Sequence, residues 1–389
     1  MQCLETSSQV AVTAQQSTAY ADAVAGGRLN VRTYGARSPR RRWQRFTASV
    51  MTAVMVLFAS VASAQQGAAP SELVVAALGG ALGQSIKEVF EPFEKQYNVK
   101  IRWVTAGASA EYVARVAATK DKPEYDLVFG DMATQETGSA QELWAKLDEK
   151  IVTNYKDQLP SARSPRDDIV FFGFVATGLF YAKGEFEQRG WKPPTHWSDL
   201  LNKEFCSRVG INHPNVLYGM HALIMLGGGG PEKISDGIAK FAENKGCIPV
   251  LEPTAAKLEE KIGRGEYLIG VHGSVRIIPL AKKAIPVKFV IPAEGAVIFA
   301  AGVSPVKNAA QPRLAQEFCN WILRPDVQMK LMEKAFFGPT NATVKVPKAF
   351  AELGVPDANA VKRSIIIPGK TFSENHEAWL RQFDAAIAK

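Results

Sequence analysis

The chain is poor in the residues that most often bind metals or build catalytic centres. It holds four Cys and five His in 389 residues, with no C-x-x-C pair and no His/Cys cluster, which argues against a zinc site. No G-x-S-x-G, no H-E-x-x-H and no Ser-x-x-Lys in a suitable setting occurs, so the common nucleophile and zinc-protease signatures are missing. The run Gly227–Gly230 follows a helix instead of a strand and lacks the Gly-Lys-Ser/Thr ending of a phosphate loop, so it reads as a flexible connection.

A clustered basic face is lacking too. The formal charge is +8, but residues 1–64 carry seven Arg and no Lys against only Glu5 and Asp22. The remainder is close to balanced and has no Lys/Arg block, which argues against nucleic-acid binding. The basic excess belongs to a targeting pattern. "RRRWQRF" (40–46) precedes the apolar run "TASVMTAVMVLFASVASA" (47–64), which ends at the small-x-small site Ala62-Ser63-Ala64. The run is barely long enough to span a bilayer and ends in small residues, so a cleaved secretory signal is expected over a membrane anchor. No Cys follows that site, against a lipid-anchored product. Residues 1–39 have no apolar period, so the natural start is expected downstream and the mature chain near Gln65.

Export permits disulfides. Cys3 would leave with the signal, and Cys319 falls on an amphipathic helix as a core residue. Cys206 precedes the strand-like "RVGIN" and Cys247 precedes "IPVLEP". If those strands lie side by side and parallel, their starting ends meet and a Cys206–Cys247 bridge is feasible; two separate buried thiols are the alternative.

What is present is a repeated α/β grammar. "ELVVAAL" (72–78), a helix over 84–97 with Ile86, Val89, Phe90, Phe93 and Tyr97 on one stripe, "VKIRWVT" (99–105), the helical "AEYVARVAATK" and "YDLVFGD" (125–131) alternate strand and helix. That order predicts a parallel sheet with right-handed crossovers. The same order returns in "RVGINHP" (208–214), "LYGMHALIML" (217–226), "IPVLEP" (248–253), "AAKLEEKIGRG" and "EYLIGVHG" (266–273). Two apolar stretches, 170–186 and 287–305, are placed to carry the chain between the halves. Helices at 312–324 and 326–337 and a tail helix at 375–389 complete the prediction.

The expected architecture is therefore α/β, with two discontinuous Rossmann-like lobes, parallel-core sheets and two hinge crossovers. Lobe 1 covers 65–174 and is completed by about 296–345. Lobe 2 covers 175–295 and is completed by about 346–389. A crevice between lobes is a preferred small-molecule site, and hinge closure is its natural motion.

Several stretches resemble one family: "GGALGQSIKEVFEPFEKQYNVKI", "YDLVFG", "PPTHWSDLLNKEFCSRVGINHP", "YGMHALIML" and "IPAEGAVIFAAGVSPVKNAAQPRLAQEFCNWILRPDVQ". They are similar to the solute-binding proteins of bacterial ABC importers, in the type II periplasmic branch that includes polyamine, thiamine and ferric-iron binders. The resemblance spans 72–340. It implies a periplasmic, monomeric receptor that closes on a small-molecule solute and docks on a membrane permease, with no cofactor and no metal. A receptor feeding a sensor kinase, and an exported enzyme on the same fold with Asp131 and a His as its acid–base pair, are the alternatives.

In such a fold the ligand meets strand C-terminal ends and helix N-termini. Where polyamine-binding relatives place aromatic rings and acids, this chain has Leu78, Gly79, Gly80, Ala81, His213, Leu217, Ser274 and Ala301. The cation-binding set is absent. Gly79, Gly80, Gly107 and Ser109 stand where backbone N–H groups favour an anion. Arg276, four residues past the strand in "LIGVHGSVRII", is placed to grip a carboxylate or phosphonate in two-point fashion. His213, Asn215, Tyr218 and His272 are the expected hydrogen-bond donors, with Ser274 beside them. The solute is expected to be anionic or zwitterionic. Asp131 either binds its ammonium or pairs with Arg276. His221 is read as packed on its helix. Tyr181 follows Phe180 where an iron binder would show two adjacent tyrosines.

Overall fold

The computed structural model describes residues 71–77, 79–105, 109–248 and 250–388, and within them the side chains of Gly80 and Ala81 are not described. The secretory signal, its cleavage site, Cys3, Leu78 and Gly107 lie outside the described residues.

β1 (Ser71–Ala76), β2 (Val99–Val104) and β3 (Leu127–Asp131) are joined through α1 (Gly80–Tyr97) and α2 (Ser109–Ala118). The apolar run of β3 is buried at four of its five positions, as an inner strand covered by helices requires, while the edge strand β2 alternates buried Val99 and Ile101 with exposed Lys100 and Arg102. β1 is central and parallel to both neighbours, with Leu73 opposite Ile101 and Val75 opposite Leu127. The inward stripe of α1 puts Phe90 face to face with Phe318 at 4.0 Å and Phe93 edge-on to it at 5.5 Å. α3 (Met132–Ala140) begins directly where β3 stops.

The second half repeats the arrangement. β4 (Val170–Ala182) and α4 (Lys183–Arg189) lead to β5 (Val209–Asn212), α5 (Leu217–Gly227), α6 (Ile234–Glu243), β6 (Leu251–Glu252), α7 (Ala255–Gly263), β7 (Ile269–Gly273) and α8 (Ser274–Lys282). β5 is parallel to both β6 and β7. The predicted strand at 248–253 shortens to the two residues of β6. The predicted crossing at 287–305 splits into β8 (Val287–Val290) and β9 (Val297–Pro305), because Gly295 between them takes φ 94°.

β4 and β9 are the two crossovers. β4 is buried at all thirteen positions. Its first part pairs antiparallel with β9 from Val170↔Val303 to Thr177↔Val297, and its last part runs between β7 and β8. β9 also pairs antiparallel with β3, from Leu127↔Pro305 to Asp131↔Ala301. The two parallel ends are thus bonded through an antiparallel middle, in the order β2-β1-β3-β9-β4-β7-β5-β6.

The C-terminal part packs its helices on this sheet and adds two short strands to it. α9 (Pro312–Ile322) and α10 (Pro325–Ala335) cover the first half, with Cys319 buried as predicted. β10 (Gly338–Pro339), α11 (Lys348–Ala351), α12 (Ala358–Arg363) and β11 (Ile365–Ile366) lead to α13 (Gly369–Ile387). β10 lies beside β4, and β11 pairs with the start of β9. α13 begins six residues before the predicted tail helix. Its first backbone N–H groups have a carboxylate partner, Lys370 N donating to Glu136 Oε2 at 2.7 Å, which satisfies an otherwise orphaned helix end.

β5 and β6 are adjacent and parallel, so Cys206 and Cys247 meet at their starting ends and form a disulfide with Cα atoms 4.2 Å apart. The bond closes a loop of sequence separation 41. Closing a loop of that size stabilises on the order of 3 kcal/mol by restricting the unfolded chain. Replacing both residues with serine lowers the melting temperature by roughly 5 °C, and reductant lowers the unsubstituted protein by the same amount while leaving the variant unmoved.

Candidate ligand-binding site

β7 stops at Gly273, and the first turn of α8 follows at once. Gly273 is required there by a close approach: a Cβ on it would lie 2.7 Å from the phenol oxygen of Tyr218. Tyr218, from the first turn of α5, therefore lies directly across the strand end. Its ring meets the His272 ring at 4.7 Å in an edge-on contact, and Phe299 of β9 at 6.2 Å.

Arg276 completes the group from the next position along α8. Its side chain is 30% exposed, and its Nη1 lies 3.3 Å from Glu259 Oε1 on α7. Its Nε is buried and meets no partner. Burial works against the guanidinium charge, but Tyr218 and Glu259 more than offset that and hold its pKa above the ordinary value. Burial pushes the Tyr218 phenol up, Arg276 opposes the rise, and Glu259 and Asp131 add to it. Tyr218 is thus a neutral donor that feels charges from both halves of the sheet.

His272 and Ser274 are fully buried. Glu259 Oε1 stands 3.6 Å from His272 Nε2, beyond hydrogen-bond distance, and neither ring nitrogen has a hydrogen-bond partner. Burial lowers the His272 pKa against the opposing pull of Glu259, so the imidazole is neutral. Glu259 itself is held below the usual carboxylate range: burial raises it, and His272 and Arg276 outweigh that. Ser274 Oγ accepts from the backbone N–H of Ala176 at 3.2 Å and ties α8 to β4. His272 backs Tyr218 through their ring contact, and Ser274 holds the start of α8 against β4.

On the other side of the gap, Asp131 caps α3, accepting from Thr134 N at 3.0 Å and Thr134 Oγ1 at 2.9 Å. It makes no ion pair among the described residues; Arg276 has Glu259 instead. Asp131, Leu217, His221, Phe299 and Phe372 line a cavity of about 20 Å³, the room of a single water. His221 donates to or accepts from Thr177 at 2.8 Å and is buried, as expected.

The remaining candidates are placed differently. His213 Nδ1 accepts from Asn215 N at 3.2 Å, and its ring packs edge-on against Phe383 of α13 at 5.8 Å. Asn215 is exposed. This turn is drawn towards α13, since His376 Nε2 also lies 3.1 Å from Pro214 O. The structure does not bring His213 or Asn215 to the Tyr218–Arg276 group. Gly79 caps α1 without a side chain, and Gly80 and Ala81 open that helix. Ser109 opens α2 beside Gly130, whose added Cβ would lie 3.4 Å from the Ser109 Cβ. Tyr181 is buried, packs on Phe186 at 4.9 Å and pairs with Ile269 at the start of β7, the opposite end of that strand from His272 and Gly273. No group of three potential metal ligands occurs among the described residues.

Glu259 is the residue that sequence reasoning missed. It falls between Leu258 and Ile262, both fully buried, so it borders the apolar stripe of α7. That edge position was the available signal.

Residues 88–354 match the family described as bacterial extracellular solute-binding protein. Similar solved structures include an ABC transporter substrate-binding protein from Bradyrhizobium japonicum USDA 110, at 19% identity over 82% of this chain and 99% of that one, with a TM-score of 0.69. An ABC transporter from Clostridium perfringens ATCC 13124 follows at 19% identity, 81% and 99% coverage and a TM-score of 0.66. The periplasmic binding protein AfuA from Actinobacillus pleuropneumoniae, with fructose-6-phosphate bound, has 18% identity, 81% and 99% coverage and a TM-score of 0.64. A sequence search of curated proteins returns no significant match. The chain belongs to the bacterial extracellular solute-binding proteins, the substrate-binding components that work with the permease subunits of ABC importers.

Proposed function

We propose that this protein carries a small organic solute with one anionic group, zwitterionic in its best fit, to an ABC permease from the periplasm. The observation that carries the reading is Arg276: a guanidinium at a strand end with a buried Nε and no partner for it, beside a neutral phenol donor. A carboxylate that displaces the Tyr218 phenol from Arg276 would meet two N–H donors in one plane, the arrangement in which guanidinium binds most strongly. Asp131 faces the same gap from the first half with lone pairs beyond those used in capping, which suits an ammonium. AfuA, at 18% identity, binds a phosphorylated sugar in the same fold. Export rests on the "RRRWQRF" and apolar pattern ending at Ala64. Closure would pivot on β4 and β9, which pass between the halves.

A thermal-shift screen of amino acids, monocarboxylates, phosphonates, putrescine, spermidine and ferric citrate tests this. A ligand at a hundred times its Kd adds about 2.7 kcal/mol to stability, a shift of several degrees. We expect the shift from zwitterions or monoanions, and an Arg276→Ala protein that binds the same solute at least 30-fold more weakly. A shift with putrescine or spermidine and none with anions would overturn the reading, as would an unchanged Arg276→Ala.

A further inference from the structure

We infer that Glu259 is a specificity-determining residue: by occupying one side of Arg276, it restricts the site to solutes whose anionic group carries a single negative charge. The inference rests on the solute reading above and adds the charge class of the ligand.

Arg276 is the cation in contact with Glu259, Lys283 acts on the same carboxylate from further off, and Asp131 is a second carboxylate whose charge reaches Tyr218. His272 and Tyr218 are both neutral at physiological pH, so neither supplies a second positive charge. An unopposed guanidinium would favour the more highly charged of two anions, as phosphate sites with exposed Arg do. Here Glu259 Oε1 is already 3.3 Å from Nη1. The remaining edge of the guanidinium, with its buried Nε, would take a single two-oxygen contact once a solute displaces the Tyr218 phenol.

The placement of Glu259 is a built feature of α7. Leu258 and Ile262 are fully buried and turn the Glu259 side chain inward to 24% exposure, while the adjacent Glu260 is 49% exposed and pairs with Lys257 and Arg264 at the surface. Glu259 stands 3.3 Å from Arg276 and 3.6 Å from His272, and the Lys283 charge acts on it from further off. A monoanion on the free edge sees a nearly neutral pair beyond the guanidinium. A second negative charge on the same ligand is repelled by the half-buried Glu259 carboxylate, and that repulsion lowers its affinity by a factor of roughly ten.

Acetate and methylphosphonate serve as probes at pH 8, where the first is a monoanion and the second largely a dianion. Their binding is read from the Arg276 side-chain NεH resonance by NMR titration. In the unsubstituted protein acetate binds and methylphosphonate binds more weakly. Glu259→Gln raises the methylphosphonate-to-acetate affinity ratio at least tenfold, and Glu259→Asp, which keeps the charge, leaves the ratio near its original value. A Glu259→Gln ratio that does not move, or an Asp variant that moves as far as Gln, overturns the assignment of Glu259 while leaving the Arg276 site standing. If Arg276→Ala binds both probes as before by thermal shift, or neither probe binds the unsubstituted protein, the anion site itself fails and Glu259 with it.

Discussion

Replacing Gly270 with alanine is expected to cost at least about 4 kcal/mol and to empty the candidate site along with it. Gly270 is the second residue of β7, opposite Gly210 of β5 on one side and Phe180 of β4 on the other. An added Cβ would lie 2.0 Å from the Gly210 carbonyl oxygen and 2.5 Å from the Phe180 ring. Phe180 is fully buried and has nowhere to go, and the carbonyl is backbone. The pairing of β7 with β5 or with β4 must therefore give way. His272 lies two residues on, and Arg276 opens from the end of the same strand, so solute affinity falls together with stability. Gly246 provides the contrast, since no atom lies within 4 Å of its added Cβ. Its alanine variant stays within about 0.5 kcal/mol of the original protein. Urea denaturation of both variants checks this, and a Gly270→Ala protein that melts within 2 °C of the parent would sink the packing argument.

The strand-to-helix switch that holds the site was readable locally. "LIGVHGSVRII" changes from a continuous apolar run to a helical period at a glycine, and both sides of that change depend only on neighbours in sequence. β1 to β3 and the stripe of α1 were readable for the same reason. Features set by distant partners were not. The "LEE" of α7 offers two adjacent glutamates, and only the docking of α8 decides that Glu259 turns inward and Glu260 outward. His213 follows β5 directly and His272 stands next to last in β7, so the two read alike, yet α13, arriving from 170 residues further along, draws the His213 turn away. The stretch 287–305 reads as one apolar passage because its division depends on β4, which pairs with β8 on one side of the break and with β9 on the other. The Cys206–Cys247 pairing was open for the same reason: it requires β5 and β6 to be neighbours, a fact of the sheet.

Acid is expected to loosen the crossovers before it touches the carboxylates. His221 is buried between Thr177 of β4, Phe299 of β9 and Phe372 of α13, at 2.8 Å from the first and about 6 Å from both rings. Burial pulls its pKa down from 6.5 to about 3. Between those values the unfolded chain takes up a proton that the folded protein refuses. Stability from this group is thus complete above pH 6.5 and is lost as pH falls towards 3, at about 1.4 kcal/mol per unit and on the order of 4–5 kcal/mol in all. His272 is shifted the same way and steepens the same window. Glu252 and Glu259 lie below the ordinary carboxylate value, so their contributions go only at lower pH. His221→Gln keeps a hydrogen-bonding group for Thr177 but cannot charge. It is less stable than the parent at pH 7.5, by about 1–2 kcal/mol for the lost ring packing, and more stable at pH 4.5, so the two stability curves cross between about pH 5 and 6. Urea titrations at those pH values decide the matter: parallel loss in both proteins would mean that His221 does not enter the fold uncharged.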